Sequence, residues 1–166
     1  FIQQMIDHDG VINLQLSTFT SSGTVHGTYT VSESNKQDIF TEIDTWSAYG
    51  GTFPQTVFPL ATNWFNNLNN GFENQTYFLA DGEFNTTMSE LNTNFASLAA
   101  VSKVYSVGIG TSVTSETMSK YDNTLANGEK ITGTWNATNN HGDAQALGTA
   151  DTLIAYLIGG SENLVP

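Results

Sequence analysis

The sequence contains no cysteine, so neither a disulfide nor a thiolate metal site is available to it. Arginine is absent as well, and the only basic side chains apart from histidine are 4 lysines. Binding to nucleic acid or to an anionic membrane surface depends on clusters of such cations, and the composition argues against both. No apolar run approaches a membrane span, and no basic stretch leads into an apolar one as in a secretory leader. Charged residues of either sign make up only 12% of the chain, about half the usual share. What charge there is lies on one side: 16 acidic residues give a net charge of −12. A chain of this kind attracts cations and stays soluble where salt screens its self-repulsion, which fits an extracellular bacterial setting, marine or halotolerant.

Enough apolar material is present for a core. The 39% apolar content and 15 glycines bring the chain close to the globular norm, and 166 residues is the size of one domain. Phe1, Ile2, Met5 and Ile6 fall at helical spacing with no cap before them, so the sequence reads as opening inside a helix. Val11 to Phe19 alternates Ile12, Leu14 and Leu16 against Asn13, Gln15 and Ser17, the period of a half-buried strand. Ser21-Ser22-Gly23 turns into a second alternating run, Val25 to Val31, and the two are expected to form an antiparallel hairpin.

Ser34 or Asn35 is placed to cap a helix with Ile39, Phe40, Ile43 and Trp46 on one face, ended by Gly50-Gly51. Pro54 suits a helical first turn. Pro59 lacks an amide proton, so the helix carrying Leu60, Trp64 and Phe65 must start late or kink. Thr76 to Ala80 is a short continuous apolar run of the buried parallel type. Thr87-Met88-Ser89-Glu90 is a capping-box pattern opening a helix with Met88, Leu91, Phe95 and Leu98 inward. Val101 to Ile109 reads as a strand parallel to Thr76–Ala80, Ser115 to Leu125 as a short helix and Lys130 to Ala137 as a last strand. A final helix is expected from about Thr149, burying Leu153, Ile154, Leu157 and Ile158 before Gly159-Gly160. The order predicts an α/β three-layer sandwich, with a mostly parallel central sheet and an antiparallel edge hairpin.

Open α/β sheets bind ligands past the carboxyl ends of their strands, which singles out Thr52 after Gly50-Gly51 and Asp81 in Leu79-Ala80-Asp81-Gly82-Glu83. A hydroxyl and a carboxylate are hard oxygen donors suited to Mg²⁺ or Ca²⁺. The plainer reading is a helix C-cap followed by an N-cap at Gly-Gly-Thr, and a turn at Asp-Gly. Asp81 and Glu83 would be an acid/base pair only if alternate residues past a strand converged, and no enzyme is expected. His141-Gly142-Asp143 reads as a solvated turn, His8 and His26 as surface residues, and Trp46, Trp64 and Trp135 as core or interface.

In order along the chain stand Ser17-Thr18-Phe19, Gly50-Gly51-Thr52, Tyr77-Phe78-Leu79-Ala80-Asp81-Gly82-Glu83 and Val104-Tyr105-Ser106-Val107-Gly108-Ile109-Gly110. Together they resemble a von Willebrand factor type A domain, most closely the module near the C-terminus of large bacterial RTX adhesins. The resemblance implies one such domain over residues 1–158, with 159–166 starting a linker; Leu157-Ile158-Gly159-Gly160-Ser161 resembles the lead-in to RTX calcium repeats. It implies an adhesion module that turns nothing over, on a bacterial surface or secreted, holding a divalent cation with Thr52 and Asp81 among its ligands. The ion's open position would capture an acidic group of a protein or glycan. The family's acidic-x-Ser-x-Ser motif has no match here, and family order places it before Phe1, on a central first strand that this sequence lacks. Ala80 stands where the family often has Ser. A structural spacer with no working ion site is the alternative.

Overall fold

The computed structural model describes residues 1–81, 84 and 87–147. A short helix, α1 (Ile2–Asp7), leads into β1 (Asn13–Phe19) and β2 (Gly23–Thr30), which pair antiparallel as the alternation predicts. Leu16 pairs with Gly27 but Ser17 with Val25, so His26 is the extra residue of a β-bulge. Asn35 fastens the end of the hairpin to the turn after it: its side-chain oxygen accepts from Ser32 N–H and its amide donates to Thr30 O.

Helix α2 (Lys36–Asp44) is shorter than the sequence predicts. It stops at Thr45, whose amide and hydroxyl both donate to Glu42 O, and not at Gly50-Gly51; Trp46 lies beyond it. Pro54–Thr56 forms a 3-10 turn before α3 (Phe58–Leu68). Pro59 causes no kink because it occupies the first helical turn, where no intrahelical bond is asked of its nitrogen.

Helix α4 (Met88–Val101) follows β3 (Gln75–Ala80) and opens with Thr87 Oγ1 accepting from Glu90 N–H, the predicted cap. Leu91, Phe95, Leu98 and Ala99 face the core at the i, i+4, i+7, i+8 spacing, whereas Met88 is half exposed. Strand β4 (Lys103–Ile109) lies parallel to β3, pairing Gln75 with Lys103 through Ala80 with Gly108. Helix α5 (Ser115–Ser119) is a single turn or so, not a helix reaching Leu125.

The third parallel strand is β5 (Gln145–Leu147), and Lys130–Ala137 is not a strand. The reason lies on the β4 edge. Val104 N–H donates to Asn123 Oδ1 and Ser106 N–H to Asp122 Oδ2, both at 2.7 Å, and Asn123 N–H donates back to Val104 O. Two side chains thus do what a strand would do over the first half of β4, and β5 continues over Val107–Ile109. Within the displaced segment Trp135 and Ala137 plug the core, Trp135 Nε1 donating to Lys120 O. The helix expected from Thr149 lies outside the described residues.

Two apolar clusters flank the strands. On one side Ile2, Met5 and Ile39 pack with Leu14, Leu16 and Tyr29; on the other α3, α4 and α5 surround Phe78 and Val104. This is helix, sheet, helix, the α/β three-layer arrangement the sequence predicts. The strands divide into two hydrogen-bonded sets, β1-β2 and β3-β4-β5. Each of β1 and β3 has one ladder partner among the described residues.

Candidate functional site

The carboxyl ends of β1 and β3 position both candidate ligands. Asp81 directly follows Ala80, the last residue of β3, and its side chain is exposed. Thr52 is half buried and precedes Phe53, whose amide donates to Thr20 O just past β1 at 3.0 Å. The Phe19 and Phe78 rings, 5.5 Å apart, bring the end of β1 against the second half of β3. Glu83 lies outside the described residues.

The segment after Thr52 rests directly on the hairpin. A Cβ at Gly23, the first residue of β2, would stand 2.5 Å from Thr56 O and 2.9 Å from Val57 N. Only glycine lets the two backbones approach so closely. Gly23→Ala is expected to push residues 53–57 off the hairpin and to cost about 1–3 kcal/mol, read as a lower urea midpoint. A midpoint equal to the parent's would show that the loop is not held there.

In donor chemistry Thr52 and Asp81 fit a hard divalent cation, but in number they fall short. Such ions take six or more oxygens, and among the described residues no group of three or more His, Cys, Asp or Glu is placed to hold a metal. Two side-chain oxygens are a third of such a shell at most.

A second cluster is one that sequence reasoning misses. His26, read as a surface residue, has Nδ1 2.9 Å from Glu42 Oε1 and Nε2 2.7 Å from Thr18 Oγ1. Trp46 Nε1 donates to the same Glu42 oxygen at 3.2 Å, and its ring centre lies 5.0 Å from the imidazole's. A carboxylate only accepts, so the imidazole presents its Nδ1–H to Glu42, and in the neutral ring Nε2 accepts from the Thr18 hydroxyl. The bulge at His26 turns its side chain toward α2, and the cluster fastens β1 and β2 to that helix. Alternation alone does not reveal a bulge, so no signal in the sequence points to it.

Asp122 and Asn123 are the other residues missed. Both are fully buried. Asp122 Oδ1 also accepts from Thr124 N–H at 2.8 Å and from Thr124 Oγ1 at 2.6 Å, and Asn123 Nδ2 donates to Ala99 O and Ser102 O. Burial pushes the Asp122 carboxyl above its ordinary value, and the donors from Thr124 and Ser106 only partly offset this. At the opposite end of β3, Glu73 pairs with Lys103. That bond holds the Glu73 carboxyl below and the Lys103 ammonium above their ordinary ranges. Burial pushes the Tyr77 phenol up to about 12.

No protein-family model matches the sequence, and no curated protein matches it. Solved structures do match in shape. A von Willebrand factor type A protein from Catenulispora acidiphila superposes with a TM-score of 0.76 over 96% of this chain, at 14% identity. This chain spans 35% of that structure's length. The conserved hypothetical protein BatB from Bacteroides thetaiotaomicron gives 0.60 over 98% of this chain and 85% of its own, also at 14% identity. An aerotolerance-related membrane protein from Bacteroides fragilis gives 0.55, at 13% identity, over 99% and 85%. At such identities the likeness is one of fold: the architecture is von Willebrand factor type A-like. Among the described residues no helix is long and apolar enough to cross a membrane.

Proposed function

We propose that the chain is an interaction module of a bacterial RTX-type surface adhesin, extracellular or secreted, that captures an acidic group on a surface protein or glycan through a divalent cation. The observation that carries this reading is the placing of Asp81, exposed at the carboxyl end of a parallel strand, with the Thr52 loop laced to the end of the neighbouring hairpin. Type A-like domains are interaction modules, and the fold supports that class.

Mg²⁺ or Ca²⁺, when bound, supplies positive charge and an open coordination position. Thr52 and Asp81 supply oxygen, and the remaining donors come from an additional segment. Such a segment has a place to go, since β1 and β3 each have an edge with no ladder partner among the described residues. One more strand entering there brings its carboxyl end to the same rim. An acidic-x-Ser-x-Ser on such a strand would complete the donor set. The reading assigns no catalysis to the chain.

The second reading is a structural spacer of a large surface protein, and the shortage of carboxylates around Asp81 among the described residues favours it. Calorimetric titration with MgCl₂ and CaCl₂ separates the two. It is run on the full-length protein, with and without Asp81→Ala. Saturable heat in the parent, lost or weakened at least about tenfold in the variant, supports the cation site. Absence of saturable heat in the parent overturns it in favour of the spacer.

A further inference from the structure

At the end of β3 remote from Asp81, roughly 20 Å away along the strand, the chain between α3 and β3 borders an open surface hollow of about 300 Å³. Phe65 and Val101 form part of its floor, and its rim carries four asparagines, at 66, 69, 70 and 74, with Phe72 beside them.

The polar groups of this rim are arranged with capacity to spare. Asn70 Oδ1 accepts from Phe72 N–H at 3.1 Å, which fixes the backbone under the Phe72 ring and leaves the Asn70 amide nitrogen to donate elsewhere. Asn74 Nδ2 donates to Val101 O at 2.9 Å, leaving its Oδ1 to accept. Asn66 and Asn69 are exposed, the latter in the left-handed region at φ 37°, which bends the chain around the hollow. The Phe72 side chain is 48% exposed, and nothing would lie within 4 Å of a Cβ at Gly71 beside it. No lining residue is charged.

We propose that this hollow is a carbohydrate subsite that takes a neutral sugar ring of a glycan. A pyranose presents hydroxyls that both donate and accept, and side-chain amides are the neutral groups that offer both in return. Its C–H face is apolar and rests on an aromatic ring, the role of Phe72. An anionic ligand finds no counter-charge in the lining and meets a protein of net charge −12. The subsite stands apart from the cation reading, since none of its groups is at the Asp81 end of the sheet.

The test is a two-dimensional amide NMR titration of the chain with lactose, maltose and N,N′-diacetylchitobiose, in the presence of EDTA. Expected is a saturating shift of the Asn66, Asn69, Asn70 and Asn74 side-chain amides by at least one of the three, with a dissociation constant of about millimolar. Phe72→Ala weakens that binding by about tenfold while Phe72→Tyr retains it. Asn66→Ala, at an exposed helical position where alanine is unstrained, weakens it about threefold or more with the backbone spectrum unchanged elsewhere. The proposal is overturned if no saccharide gives a saturating shift up to its solubility, if the shifts map away from this rim, or if Phe72→Ala binds as the parent does. With the cation chelated throughout, failure here leaves the Asp81 reading standing, and failure of that reading leaves this one.

Discussion

Asp122→Ala is expected to lower the unfolding free energy by about 3–5 kcal/mol, enough to leave a domain of ordinary stability largely unfolded in mild urea. The substitution orphans three donors at once: Ser106 N–H, Thr124 N–H and the Thr124 hydroxyl, all in a region sealed from water. Asp122→Asn is the sharper test because it keeps the shape. Whichever way the carboxamide sits, its NH₂ faces a backbone N–H, so about 1–3 kcal/mol is lost although volume is unchanged. A loss below about 0.5 kcal/mol in both variants would mean that the β4 edge is held by something else. The pH dependence has a definite sign. The folded carboxyl titrates above its ordinary 3.8, so the native state binds the proton more tightly than the unfolded chain. The proton-linked part of the stability is fully present below 3.8 and is lost as pH rises through the folded value, while the hydrogen bonds the oxygens accept remain; Asp122→Asn lacks that slope.

Phe95→Ala is expected to cost about 3–5 kcal/mol, the range for removing a buried aromatic. The ring is fully buried where three others meet it edge-on, Phe58 and Tyr121 at 5.4 Å and Trp135 at 5.8 Å. Phe95→Leu separates geometry from bulk. Leucine fills most of the space but gives up the edge-to-face contacts, so about 1–2 kcal/mol is expected. Equal losses in the two variants would assign the whole effect to the quadrupolar contacts and none to the cavity. Urea melts of the three proteins decide it.

Elements whose inner face repeats without interruption are the ones that the sequence discloses. Leu91, Phe95 and Leu98 behind a Thr87 cap could be little but a buried helix, and the alternation at Ile12, Leu14 and Leu16 little but a strand. The misreadings share one cause, which is that a local period carries no information about which neighbours are taken. Ile131, Trp135 and Ala137 keep a strand-like parity, yet the β4 edge they would pair with is filled by Asp122 and Asn123. In the sequence Tyr121-Asp122-Asn123-Thr124 reads as an ordinary polar turn. Trp46 fits the face of α2 by spacing, but its indole is drawn off the helix to Glu42 and His26, contacts that exist only once the hairpin is in place. Of the candidate site, the positions of Thr52 and Asp81 follow from rules about strand ends. The His26 cluster depends on a bulge and was not legible.

The two apolar clusters on opposite faces of the strands share no buried residue. Phe19 of β1 nevertheless packs into the cluster around Phe78, Phe1 rests on Tyr77 at 5.1 Å and Phe53 N–H donates to Thr20 O, while no ladder of amides crosses between β1 and β3 among the described residues. With only one ladder partner for β1, the amide hydrogens of β1 and β2 are expected to exchange with solvent at a lower free energy than those of β4, which hydrogen-exchange measurement checks. A strand that entered between β1 and β3 would contribute more than its own contacts, because it would join two hydrogen-bonded sets into one continuous ladder.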